Sequence, residues 1–215
     1  MINKTVLIAG LAGLLATSAV QAEKLNVDVW ADNWFAFYSG EKEIKEDSVS
    51  INTERSFNKE SFTFNAERPF VLNFVVKDFK ENDSGLEYIG SRKQQMGDGG
   101  FIAQFKDSSG KTVAVTNSSW RCMVTHNAPS NKSCEKDKNP VAGKGNCGFT
   151  KTAEPSGWKS PSFDDSSWPK ASEYSERSVG PKDGYDQVRW DSGAKLIWGP
   201  DLETNNTLLC RTVIK

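Results

Sequence analysis

His126 is the only histidine among 215 residues, so any Ser-His-Asp or Cys-His mechanism would have to run through it. It stands beside Asn127-Ala128-Pro129 in a polar stretch, and no G-x-S-x-G elbow is present, so a surface or loop histidine is the plainer reading. The cysteines, Cys122, Cys134, Cys147 and Cys210, are spaced by 12, 13 and 63 residues, which fits no C-x-x-C zinc module. No metal is assigned to them. An even cysteine count in an exported chain predicts two disulfides, with three pairings open. We expect Cys134 with Cys147, closing the polar loop between them, and Cys122 with Cys210, tying that region to the last strand. Gly97-Asp98-Gly99-Gly100 lacks the G-K-[ST] that would cradle phosphate and reads as a turn, so no nucleotide cofactor is implied.

The carboxylates and aromatics are more numerous. Glycoside hydrolysis needs two carboxylates about 5–10 Å apart, and 28 acidic residues leave that chemistry open. Sugar binding needs an aromatic face for the pyranose ring and polar groups for its hydroxyls. Seven Trp and four Tyr are generous for this length. In Ala31–Tyr38 both alternating sets contain aromatics, so either Trp34 and Tyr38 or Phe35 and Phe37 must leave the core or meet a second layer. Trp34 and Tyr38, which carry polar atoms, are the expected exposed platform for a glycan. Trp158 and Tyr185, in loops with Gly and Asp neighbours, come next.

The elements that must position these groups are strands. Residues 1–22 read as a signal peptide: Lys4 supplies the positive start, Val6–Leu15 is apolar or glycine, and Val20-Gln21-Ala22 suits the cleaving peptidase. No later stretch is long and apolar enough to span a bilayer. The expectation is a secreted or periplasmic protein with no membrane insertion. Residues 23–215 carry 26 basic and 28 acidic side chains without a basic block, which argues against a nucleic-acid partner.

Period-two alternation recurs and helical periodicity does not. Leu25, Val27 and Val29 alternate with Asn26, Asp28 and Trp30, and Phe62 and Phe64 repeat the pattern. Phe101–Phe105 and Val113–Val115 flank Asp107-Ser108-Ser109-Gly110 as a hairpin. Phe70–Phe79 is nearly all apolar, as in a strand buried on both faces. Residues 194–198 and 207–214 add two more. The fold class expected is an all-β sandwich or barrel in one domain over 23–215, with a disulfide-held, loop-rich excursion at about 121–161.

Four segments, in order, resemble the galactose-binding-type jelly-roll modules attached to bacterial rhamnosidases and other large glycoside hydrolases. Ala31–Tyr38 is similar to the family's A-D-N-x-aromatic strand, although Ser39-Gly40 replaces its V-N-G continuation. Gly100–Phe105 and Val113–Arg121 resemble its G-[F/L]-[I/L]-A strand and T-D-x-S-W strand, with Asn117 in place of Asp. Gly157-Trp158 followed by Phe163–Ala171 matches W…F-D-D-S-x-W-x-x-A, and 196–200 with 207–211 resemble its I-W-G and [F/Y]-R close.

The resemblance implies a jelly-roll β-sandwich without a catalytic domain of its own. In the third motif, Asp164, Asp165 and Trp168 read as a structural loop clamp, because an Asp before a tight turn accepts backbone N–H bonds and flanking aromatics pin the loop. Asp78, Asp83 and Asp98 flank loops of the kind where such modules hold a structural calcium, but the sequence carries neither an EF-hand nor a calcium repeat. The functional expectation is a non-catalytic carbohydrate-binding module whose partner is a glycan or polysaccharide. Its rivals are a structural or adhesive protein-binding surface protein and a small glycosidase.

Overall fold

The computed structural model describes residues 22–53 and 57–215. Apart from Ala22, the expected signal peptide lies outside the described residues. Among them no helix is long and apolar enough to cross a membrane.

The first third of the chain holds β1 (Glu23–Asp32), β2 (Trp34–Ser39), β3 (Lys42–Glu46), β4 (Lys59–Ala66) and β5 (Phe70–Lys77). A small ribbon, β6 (Leu86–Glu87) with β7 (Gln95–Met96), precedes the hairpin of β8 (Gly100–Lys106) and β9 (Thr112–Val115). Then come β10 (Arg121–Asn127), β11 (Thr150–Lys151), β12 (Ser172–Tyr174), β13 (Leu196–Trp198) and β14 (Asn205–Ile214). They form two six-stranded antiparallel sheets: β12-β13-β8-β1-β4 with β9 also on β8, and β11-β10-β14-β5-β2-β3.

Alternation explains why the sheets meet. Leu25, Val27 and Val29 of β1 and Phe101, Ala103 and Phe105 of β8 share one buried core with Phe35, Phe37, Phe74, Val76 and Leu208 of the other sheet. Phe37 shows the join most clearly, with its ring 4.7 Å from Phe74 in its own sheet and 5.1 and 5.7 Å from Phe64 and Phe105 across the core. Each such aromatic pair adds about 0.5–1.5 kcal/mol beyond its buried area. The result is an all-β, sandwich-like fold. The predicted hairpin is present: Asp107 Oδ1 accepts from the Ser109 and Lys111 amides, and Gly110 takes the positive φ of 84° that the turn requires. The continuous apolar run of β5 is central, flanked by β14 and β2.

Two expectations are corrected. Ala31–Tyr38 is not one strand: β1 ends at Asp32, Asn33 turns, and β2 starts at Trp34 in the opposite sheet. The excursion does not begin at Arg121, because 121–127 is β10, paired along β14. That strand is hard to read from sequence because Thr125 and His126 are polar yet buried.

Both disulfides form as expected. Cys122–Cys210 joins directly opposed residues of β10 and β14 inside the core, and Cys134–Cys147 closes the loop that follows β10.

Candidate functional site

The outer face of the second sheet is covered by a second apolar layer. Trp34 and Ala36 of β2, Val75 of β5 and Leu209 of β14 pack against Trp158 and Trp168 from the loop that follows β11. This resolves the double aromatic pattern of β2, with Phe35 and Phe37 turned into the core and Trp34 and Tyr38 meeting a layer. The expectation of an exposed Trp34–Tyr38 platform is therefore corrected. Trp34, Trp158 and Tyr185 keep only 7%, 3% and 7% of their surface, and Tyr38 is half-buried with Lys159 Nζ 3.5 Å above its ring. Tyr185 lies on the other sheet, edge-on to Trp30 at 5.7 Å, with its hydroxyl donating to Glu176 Oε1.

The loop over this layer is held by charge as well as by rings. Asp164 Oδ1 accepts from the Ser166 amide, and Asp165 pairs with Arg211 Nη1 and with Arg121 Nε. Arg211, 1% exposed, also donates to the Ser160 and Phe163 carbonyls and to Asn73 Oδ1. Trp168 packs against the Trp158 ring at 6.1 Å and edge-on to Phe163 at 5.6 Å.

Where that layer ends, a cleft of about 640 Å³ opens. Strands β5, β10 and β14 supply Lys77, Thr125, His126 and Thr207 to its wall, and β11 supplies Lys151. Asp78, Lys80 and Asp83 come from the loop after β5, with Asn52 and Glu154 at other sides. Asp83 is the polar centre. Lys151 Nζ donates to its Oδ2 at 2.6 Å and Lys80 Nζ to its Oδ1 at 2.9 Å, and these two bonds hold its carboxyl down at about 2. Lys77 Nζ instead sits 4.6 Å over the Trp34 ring. Phe149, 37% exposed, lies nearly parallel to His126 at 5.9 Å.

His126 is not a surface histidine. It is 4% exposed, with Nδ1 2.9 Å from Asn206 Oδ1 and Nε2 3.4 Å from Asp83 Oδ1. With Asn206 Oδ1 accepting, Nδ1 carries the proton. Burial pushes the imidazole below its ordinary value, and Lys80 adds to this against the pull of Asn206 and Asp83. A ring that is harder to protonate folded than unfolded adds stability above about pH 6.5, and that stability is lost as pH falls through the folded value. NMR titration of this single imidazole should give a midpoint below 6.5, and a midpoint at or above that would contradict the geometry.

The sequence named His126, Asp78 and Asp83 singly but did not join them into a cleft, and Lys77 and Lys151 are unremarkable in sequence. The one available signal was Thr125-His126-Asn127, a polar run entering a strand. Among the described residues, the one close group of metal-ligand atoms is Cys134, Asp137 and Cys147, and its cysteines are joined in a disulfide. No family model matches the chain, and no curated protein or solved structure is significantly similar to it.

Proposed function

We propose that the protein is an exported, non-catalytic carbohydrate-binding module and that the cleft around Asp83 and His126 holds the glycan. The observation that carries this reading is the cleft's make-up. Fixed acceptors (Asp83, Glu154), ammonium donors (Lys77, Lys80, Lys151) and hydroxyls (Thr125, Thr207) face one volume of about 640 Å³, and the part-exposed ring of Phe149 lies against His126 with Lys151 Nζ 5.4 Å from its centre. Sugar hydroxyls, which donate and accept at once, are matched by such a mixed lining, and a pyranose face by an aromatic ring. The volume suits a mono- to disaccharide-sized ligand.

The module is read as a jelly roll of the galactose-binding type. Support comes from the path of the main strands, which alternate between the sheets as β1, β2, β4, β5, β8, β10, β13 and β14. Further support comes from the D-D-S-S-W loop, whose Asp165 and Trp168 anchor it to the outer face of the second sheet.

A glycan array on the purified protein tests the proposal. It should give at least one hit, and Asp83→Asn should weaken that hit at least tenfold. The fold should lose no more than about 1 kcal/mol, the range for ion pairs that keep contact with solvent as Lys151–Asp83 does. An empty array, or a hit indifferent to Asp83→Asn, would count against the cleft; an empty array with a stable protein complex in pull-down would favour the adhesive reading. Release of reducing sugar from the bound glycan would overturn the non-catalytic part.

A further inference from the structure

A single cross-strand row runs along the floor of the cleft. In the register of the second sheet Trp34 of β2 stands opposite Lys77 of β5, and Lys77 opposite Thr207 of β14. Thr207 in turn stands opposite His126 of β10, and His126 opposite Lys151 of β11. Opposed residues of neighbouring strands share a face, so ring, ammonium, hydroxyl, imidazole and second ammonium follow one another across the sheet. The irregularity of β10 between Val124 and His126 brings His126 into the row. Three strand spacings separate Lys77 from Lys151, about 14 Å.

The cleft holds more positive charge than its carboxylates answer. Lys151 Nζ donates to Asp83 Oδ2 and Lys80 Nζ to Asp83 Oδ1, so these two ammoniums share one carboxylate. Glu154 has its Oε2 taken by Trp158 Nε1 at 3.0 Å. Asp78 follows Lys77 in the chain, but its carboxylate lies against Gly97, among Asp32, Glu87 and Asp98.

Lys77 is the ammonium left without an anion. It is half-buried on a central strand, two residues beyond Val75, which lies under the apolar layer. Its Nζ rests 4.6 Å over the Trp34 ring, and it has no carboxylate partner among the described residues. The ring holds the ammonium in place without neutralising it. A charge partly withdrawn from water calls for a counter-charge, and beside groups matched to hydroxyls that counter-charge belongs to the ligand.

We infer that the cleft selects an acidic glycan, with the carboxylate or sulfate of one sugar unit held on Lys77 Nζ and sugar hydroxyls along Thr207, Asp83 and Lys151. The inference rests on the carbohydrate-binding proposal and narrows it to a ligand class.

The test is a glycan array in which neutral oligosaccharides stand beside their uronic-acid and sulfated counterparts, followed by calorimetry of those that bind. Acidic members should bind about 10- to 100-fold tighter than their neutral partners, the range of a hydrogen bond to a charged group. The tighter of uronate and sulfate identifies the anionic group. Raising NaCl from about 0.1 to about 1 M shortens the screening length from about 10 to about 3 Å and should erase most of the advantage. That salt dependence is read in the unaltered protein, whether or not a variant folds. Lys77→Met, which keeps an apolar stem over Trp34, should bind acidic and neutral members alike, while Lys77→Arg should keep the preference. Neutral sugars bound as tightly as acidic ones, an acid preference that Lys77→Met retains, or one indifferent to salt overturns the inference and leaves carbohydrate binding standing. An array without any hit overturns both.

Discussion

Replacing Cys122 and Cys210 together with alanine should lower stability by about 4–5 kcal/mol, because that bridge closes a loop of 88 residues. For a domain of this size the loss corresponds to a fall in Tm of roughly 8–20 °C, read by scanning calorimetry. The bridge sits in the core between paired strands, so the double variant also loses buried packing. The Cys134–Cys147 bridge closes only 13 residues outside the two sheets, and its removal should cost about 3 kcal/mol. A larger loss from the shorter loop would contradict the architecture.

The second large effect belongs to Arg211. Its guanidinium satisfies Asp165 and the carbonyls of Ser160 and Phe163 from a position with 1% exposure, which no shorter or uncharged side chain can do. Arg211→Met leaves those acceptors unpaired and should cost about 3–5 kcal/mol in urea unfolding. The loop from Ser160 to Trp168 then loses its anchor, and limited proteolysis should cut there first. A cost under about 1 kcal/mol, with the loop still protected, would show that the aromatic layer holds the loop without the charge.

Strand-forming alternation made much of the fold legible from sequence. Leu25-Val27-Val29 and Phe62-Phe64 announced their elements by alternation, since a half-buried strand exposes every second residue, and the Phe101–Val115 hairpin by the Asp107–Gly110 turn between its strands. The pattern failed where both faces are covered. Trp34 looked exposed because its alternation partners were also aromatic, and alternation cannot distinguish a solvent face from one lying under Trp158 and Trp168. It failed again at β10, where Thr125 and His126 are buried polar groups that find their partners from β14, at Thr207 and Asn206. The cleft was illegible for a related reason. Lys77, Asp83, His126 and Lys151 come from four separate segments, and nothing in their spacing records that the second sheet brings them to one place.

His126 reports on glycan binding through a single signal, since no other imidazole exists in the chain and this one lines the proposed glycan site. The measurement is the His126 ring resonance during titration with the glycan that the array identifies. The resonance should shift, saturating with the same Kd as calorimetric binding, and the shift should vanish in Asp83→Asn. A glycan that binds while this resonance stays fixed would place the sugar elsewhere and contradict the proposed site.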